Sequence, residues 1–515
     1  MAERSKTAVY AQAPRLEPDD EWNAALLAAA RPSGWRNPTP EGRYRLVVVG
    51  AGAAGLAAAT RAAGMGAKVA LVERHLMGGD RLVAGRVPAQ SLIAAARSWQ
   101  AARRSAEDFG GPRPAASSGD FAAAMARLRR QRAEIAVTHG AEKLSGLGVD
   151  VFFGHGRFVA SDCLEVGGTR LRFRQAAIAT GGRPALPAIA GLDLVSFLAG
   201  DRLFGLTELP GRLAVVGGGS FGCEMAQAFA RFGSQVHLFE KEPRLLPNAE
   251  PGAGELLARR FAAEGIHLHL GLQPIRAALR NQGSALFYPR EGGEDELAVD
   301  QILLATGRTP NVEALGLEAA GVHYDENGIE IDPGLRTSNP RIFALGEVAA
   351  GPRPSQHAEA QARMVIRNAF FFGRGRQEKL VAPSCVYTSP EVAQVGLNGA
   401  GAARRGIATD LVRVEMAEVD RAPLEGDSEG FLELLLEKGG DRILGATLVA
   451  ENAGDLIGQI ALAIENGLGL GALGATIFPD PTRGEIFRKA ADAWNRRRHS
   501  SRYKAWLKTF FRVTG

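Results

Sequence analysis

The chain has 515 residues, too many for one hydrophobic core, so it should divide into roughly three or four domains. Its 46% hydrophobic and 23% charged residues are ordinary for a globular protein, and no run of about 20 apolar residues is present to span a bilayer. The net charge of +5 comes from basic residues mostly interleaved with acidic ones except at the C-terminus, and no nucleic-acid-binding motif is present, so nucleic acid is not an expected partner.

The first residues, MAERSKTAVYAQAPRLEPDD, lack the apolar segment of a secretory signal, and a cytoplasmic location is expected. Residues 1 to 40 read as a Pro-rich arm with one short helix around Glu21 to Ala30. Residues 44 to 73, YRLVVVGAGAAGLAAATRAAGMGAKVALVE, then give an apolar run suited to a buried parallel strand, a glycine turn, an Ala-rich helix and a second strand ending in Glu. Residues 119 to 145 read as a basic amphipathic helix, and AIATGGRP (177 to 184) as a strand entering an Ala-Thr-Gly turn.

The pattern of residues 44 to 73 returns at 211 to 240, GRLAVVGGGSFGCEMAQAFARFGSQVHLFE, and LLATGRTPN (303 to 311) repeats the Ala-Thr-Gly turn. Gly50 precedes Glu73 by the same interval as Gly217 precedes Glu240, so the chain carries an internal duplication. Residues 380 to 450 alternate apolar and polar in strand-like runs and lead into the helical GDLIGQIALAIENG, an α+β pattern.

A lone G-x-G-x-x-G is a weak signal. Here Gly50, Gly52 and Gly55 lie between strand and helix, with Glu73 closing the next strand. Such glycines let backbone approach a pyrophosphate at a helix N-terminus, and the acid suits an adenosine ribose. Gly217, Gly219, Gly222 and Glu240 form the second set. An acid there favours a free 2′-hydroxyl over a 2′-phosphate, hence NADH over NADPH, although Lys241 and Arg244 lie nearby.

These segments, with LVERHLMGGD, RIFALGEVA, YTSPEVAQVG, RILGATLVAENAGDLI and DPTRGE, make the chain resemble the class I pyridine nucleotide–disulfide oxidoreductases from about residue 38 to 495. It is most similar to the branch of mercuric reductase and dihydrolipoamide dehydrogenase. The resemblance implies an α/β, glutathione-reductase-like fold: two doubly wound Rossmann-like dinucleotide-binding domains and a C-terminal α+β domain that makes a homodimer. The implied boundaries are an arm (1–40), an FAD domain (41–188 and 314–378), a NAD domain (189–313), an interface domain (379–495) and a basic tail (496–515). FAD would be held by Gly50, Gly52, Gly55, Glu73, Gly79, Thr180, Gly181, Gly346 and Glu347, the last in place of an Asp that meets the ribityl–phosphate portion. Gly217, Gly219, Gly222, Glu240 and Gly307 would hold NAD, and Glu224 matches an acid near the flavin N5.

The chain departs from the family where thiol chemistry resides. The segment after Gly78-Gly79 normally carries two cysteines separated by four residues; here Arg81 and Arg86 stand at those positions. Asp480 replaces the proton-donating His of the DPTRGE segment, with Glu485 retained, and Ser220 replaces a gatekeeping Tyr. The three cysteines, Cys163, Cys223 and Cys385, are scattered and are expected to be buried reduced thiols. Arginine is neither a thiolate nucleophile nor a two-electron acceptor, so disulfide, lipoamide or mercuric reduction is not expected.

Two readings of Arg81 and Arg86 stand: structural, each paired with an acid (Asp80, Glu224, or the partner subunit's Asp480 and Glu485), or binding an anionic acceptor or reduced flavin. His357 is read as a structural histidine or a proton donor. The expected function is an FAD oxidoreductase in which NADH reduces flavin directly and electrons pass to a quinone, a one-electron carrier or oxygen. The alternative is a flavin-loaded binding or signalling subunit. In the tail, Arg496, Arg497, Arg498, Arg502, Lys504, Lys508 and Arg512 alternate with Trp506, Leu507, Phe510 and Phe511, which suits either an anionic membrane surface or packing on the interface domain.

Overall fold

The computed structural model describes residues 15–114, 119–281, 283–351, 357–371, 373–498, 510–512 and 514, without the side chains of Asp201 and Arg498. The chain forms two compact units, one of residues up to 241 with 265–380, the other of 242–264 with 381–515.

The first unit opens with helix α1 (Glu21–Ala30), capped by the Asp20 carboxylate accepting from Asn23 N–H. Its first sheet contains β1 (Tyr44–Val49), β2 (Val69–Glu73), β3 (Val149–Phe153), β4 (Gly156–Ala160), β5 (Cys163–Val166) and β6 (Thr169–Ile178), in the order β3-β2-β1-β6-β5-β4. The β3-β2-β1-β6 core is parallel, with Val48 opposite both Leu71 and Ala177. A sheet covered on both faces requires apolar residues at consecutive positions. Accordingly Leu46 and Val48 enter one core with Ala58 and Ala62 of helix α2 (Ala53–Gly64), while Val47 and Val49 enter a second with Phe158 and Leu317.

Helices α3 (Gly79–Val83), α4 (Arg86–Asp108), α5 (Phe121–His139) and α6 (Ala141–Gly146) lie between β2 and β3 in the chain. The single helix expected over 119 to 145 is interrupted at Gly140. A Cβ on Gly140 would lie 2.5 Å from the Ala29 carbonyl oxygen, so the helix stops where α1 packs against it. The long helix α4 was not among the expected elements.

After β7 (Gly182–Pro184) the duplicated half gives β8 (Arg212–Val216), helix α7 (Ser220–Phe232), β9 (Gln235–Glu240), β10 (His267–Leu270) and β11 (Gln301–Leu304). These strands make a fully parallel sheet in the order β10-β9-β8-β11. Strand β12 (Arg308–Pro310) pairs antiparallel with β7, β13 (Ile342–Ala344) returns to β6, and helix α8 (Ala358–Phe370) follows.

In the second unit, β14 (Ser384–Val386), β15 (Glu391–Gly396), β16 (Thr409–Glu415), β17 (Phe431–Glu437) and β18 (Ile443–Ala450) form an antiparallel sheet ordered β14-β15-β18-β17-β16. Helices α9 (Ala453–Glu465) and α10 (Glu485–Arg498) follow it. The 242–264 segment, expected inside the 189–313 domain, groups with this unit. Its Glu250 carboxylate accepts from Gly399 N–H at 2.5 Å, and Gly252 abuts Arg413 and Phe431. Among the described residues no helix is long and apolar enough to cross a membrane. Trp506 and Leu507 of the tail lie outside the described residues; Phe510 and Phe511 are exposed.

Candidate functional site

Each duplicated half builds the same cradle. Gly50 leaves β1 with φ +103°, and a Cβ on it would lie 2.4 Å from the Ala179 carbonyl oxygen. A Cβ on Gly55 would lie 1.8 Å from the Gly50 carbonyl oxygen, so the start of α2 rests directly on the turn. Gly217 (φ +114°) and Gly222 repeat both distances, against the carbonyl oxygens of Ala305 and Gly217. The middle glycines differ. Gly52 and Gly219 are the N-cap residues of α2 and α7, and nothing lies within 4 Å of a Cβ placed on either. The outer glycines are thus required by the protein's own packing, and the middle ones keep open a space in front of a helix N-terminus. Such a space fits a pyrophosphate.

The two acids close the cradles alike. Glu73 Oε2 accepts from Ala51 N–H at 2.7 Å, and Glu240 Oε2 accepts from Gly218 N–H at 2.7 Å. Glu73 Oε1 also accepts from His75 N–H at 2.7 Å. Both side chains are buried. Burial pushes the Glu73 carboxyl up, and the His75 and Ala51 N–H groups and the Arg74 charge pull it back. An ionised carboxylate has about four acceptor positions, so these bonds leave capacity for ribose hydroxyls. A pocket opens beside Glu73, lined among others by Gly50, Arg74, His155, Thr180, Asn311 and Glu313.

The Ala-Thr-Gly turns interlock through a local two-fold exchange. Thr180 Oγ1 donates to the Asn311 carbonyl and Thr306 Oγ1 to the Ala185 carbonyl, both at 2.8 Å. Asn311 N–H donates to Gly181 O and Ala185 N–H to Gly307 O, both at 2.9 Å. Thr180, Gly181 and Gly307, singled out for cofactor contact, therefore also carry the crossover between the halves.

Arg308, which the sequence reading passed over, follows the second of these turns. Its guanidinium donates to Glu347 Oε2 at 2.7 Å, to the Gly182 carbonyl at 2.5 Å and to Asp80. Burial lowers its proton affinity, but Asp80 and Glu347 more than offset that. Gly346 N–H donates to Gln361 Oε1 at 2.8 Å, which fixes the Gly-Glu turn against α8.

The arginines at the former dithiol positions lie on helices. Arg81, on α3, pairs with Glu359 of α8 at 3.2 Å, both side chains about half exposed. Such a pair is worth at most about 1 kcal/mol. Its partner is none of the acids expected for it, and Asp80 is taken by Arg308. Arg86 is the half-buried first residue of α4. Glu224 lies on α7, half-buried, and His357 is the N-cap residue of α8.

In the second unit Asp480 is exposed, while Glu485 is buried and pairs with Arg488 at 2.9 Å. All three cysteines are buried, and none is in a disulfide. Burial raises the pKa of Cys223 well above the usual thiol value, with Glu224 and Glu240 adding to it, and burial also raises that of Cys163. Among the described residues no cluster of three or more His, Cys, Asp or Glu is arranged to hold a metal.

Two open glycine cradles, each with a buried acid and joined by interlocked turns, define a protein that binds two dinucleotides. Comparison with known proteins narrows this. The family described as pyridine nucleotide-disulphide oxidoreductase matches residues 44–362, and its dimerisation domain matches residues 382–491. Mercuric reductase from Streptomyces lividans is 34% identical over 459 residues, covering 88% of this chain and 96% of that protein. Dihydrolipoyl dehydrogenase from Geobacillus stearothermophilus is 32% identical over 460 residues, covering 87% and 95%. The HOCl-induced flavoprotein disulfide reductase RclA from Escherichia coli superposes with a TM-score of 0.77 at 25% identity, covering 87% of this chain and 99% of that one. The chain belongs to the pyridine nucleotide-disulphide oxidoreductase family. Membership makes it an oxidoreductase with FAD and a pyridine nucleotide as cofactors, and the dimerisation domain supports a homodimer.

Proposed function

We propose that this enzyme oxidises NADH through FAD and delivers the electrons to a non-disulfide acceptor, such as a quinone, a one-electron carrier or oxygen. The observation that carries the reading is the pair of arginines at the dithiol positions, with Arg81 tied to Glu359, in a chain whose three thiols are buried and dispersed. FAD, when bound, supplies hydride acceptance from the nicotinamide and onward electron transfer. The protein's share is positioning: Gly50, Gly52, Gly55 and Glu73 for the adenosine diphosphate of FAD, with Gly79, Thr180, Gly181, Gly346 and Glu347 beyond it. Gly217, Gly219, Gly222, Glu240 and Gly307 do the same for the nicotinamide nucleotide. The buried Glu240 supports NADH over NADPH, since its carboxylate disfavours a 2′-phosphate. Mercuric or disulfide reduction, carried by the names of the relatives, lacks its thiols here.

Anaerobic titration of the purified holoprotein with NADH tests this. The flavin should bleach with one NADH equivalent and no long-wavelength thiolate–flavin band. A second equivalent consumed per flavin, or that band, would refute the reading. Absence of bleaching would assign the chain to the flavin-loaded binding role instead.

A further inference from the structure

Residues 15–43 lie outside the 44–362 family match, yet they are built into the first dinucleotide half. Arg132, almost fully buried, donates to Asn23 Oδ1 at 2.6 Å and to the Val83 carbonyl at 2.9 Å, and Arg129 pairs with Asp20 at 2.5 Å. Ala30 O accepts from Met77 N–H. Trp35 Nε1 donates to Val151 O at 3.1 Å, and Asn37 exchanges two hydrogen bonds with the backbone of Phe153 on the sheet edge.

Arg31 makes the contact that matters for the site. Its guanidinium lies over the Phe153 ring at 5.2 Å and donates to the carbonyls of Arg74 at 2.5 Å and His75 at 3.0 Å. The Arg74 carbonyl and the His75 N–H are two ends of one peptide group, and that N–H is the donor to Glu73 Oε1. A cation therefore holds the oxygen end of the dipole whose hydrogen end holds the carboxylate. Hydrogen bonds polarised in this way strengthen one another.

We propose that Arg31 is a positioning residue for the cofactor site: through the Arg74–His75 peptide it fixes and keeps ionised the Glu73 carboxylate that receives the adenosine ribose of FAD. The proposal rests on FAD occupying the first cradle. The titratable and charged groups around Glu73 are Arg74 and His75 on its own loop, His155 and Glu313 across the pocket, with Glu313 held by Arg183, and Arg31 behind the loop. Burial favours the protonated carboxyl and the His75 N–H opposes it, so weakening that N–H by removing Arg31 from the far end of its peptide favours the protonated form further.

Release of FAD from the holoenzyme, followed by the rise in flavin fluorescence between pH 8 and pH 5, tests this in wild type, Arg31→Gln, Arg31→Lys, Glu73→Gln and the double variant Arg31→Gln/Glu73→Gln. Arg31→Gln should release FAD about tenfold faster at neutral pH, the scale of one charge-assisted hydrogen bond. Its acceleration on acidification should begin at higher pH than in wild type. Arg31→Lys should recover most of the difference, and Arg31→Gln should add little in the Glu73→Gln background. Arg31→Gln that lowers the melting temperature of the apoprotein while leaving the release profile unmoved would overturn the proposal. So would an equal effect with Glu73 already neutral. Should Arg31→Gln not fold, Arg31→Lys against Glu73→Gln gives the same coupling. A wild-type preparation without flavin would instead overturn the FAD reading.

Discussion

Replacing Gly52 by Ala tests the cofactor reading with little disturbance of the fold. Gly52 has φ −75° and ψ −171°, ordinary for any residue, and an added methyl meets no atom within 4 Å. The cost to the apoprotein should therefore stay below about 1 kcal/mol, the scale of a poorer N-cap. The methyl would, however, fill the space left for the pyrophosphate. Steric intrusion of that kind costs about 2–3 kcal/mol, or roughly 30- to 150-fold in Kd. Gly219→Ala should reproduce this at the other cradle, sparing FAD and weakening the nicotinamide nucleotide. Gly55→Ala is the contrasting control: its methyl would sit 1.8 Å from the Gly50 oxygen, so the fold itself should fail. Urea unfolding of apoprotein and flavin content with FAD titration separate these outcomes. A Gly52→Ala protein that binds FAD as wild type does would refute the assignment of the first cradle.

Three further outcomes are expected. Arg81→Ala with Arg86→Ala should lower stability by about 1 kcal/mol or less, the scale of the half-exposed Arg81–Glu359 pair, and leave acceptor turnover intact; lost acceptor turnover with intact NADH bleaching would show that the arginines meet the acceptor. Arg308→Met leaves Asp80 and Glu347 without the cation between them, and a loss of about 1–2 kcal/mol should appear as a melting point lower by about 1–3 °C; an unchanged melting point would remove the bridge from the account. His237, half-buried against His267 and His269, has its pKa lowered to about 4, chiefly by burial. Its unfolded form takes up a proton first, so stability is full above about pH 6.5 and falls as pH drops toward 4. After discounting for exposure this is about 1–2 kcal/mol, and His237→Phe should flatten the pH dependence of melting over that window.

How much was legible in the sequence follows from the range of the forces involved. Gly50 and Gly217 hold a positive φ where a strand turns into a helix, and Gly55 and Gly222 rest on their carbonyl oxygens; these demands lie within a few residues, so the spacing announced both cradles, although Ala179 and Ala305 add a distant one. The apolar runs of β1, β2, β8 and β9 likewise declared strands buried on two faces. The loss of the dithiol was readable because it is a matter of residue identity alone. By contrast, Arg308 finds Asp80 and Glu347, and Arg81 finds Glu359, across long stretches of chain. No periodicity encodes such pairs, and the acids expected for Arg81 were the wrong ones. Gly140 was read as helix because its reason for being glycine is the backbone of α1, not its neighbours.

The sequence by itself thus determined the two dinucleotide turns, the family likeness and the arginines at the dithiol positions, since each depends on local backbone demands or on which atoms a side chain carries. Only the tertiary structure decided which charges meet and how the arm reaches Glu73. Ion pairs and polarised peptides depend on distances of a few ångströms between groups that the chain order keeps far apart.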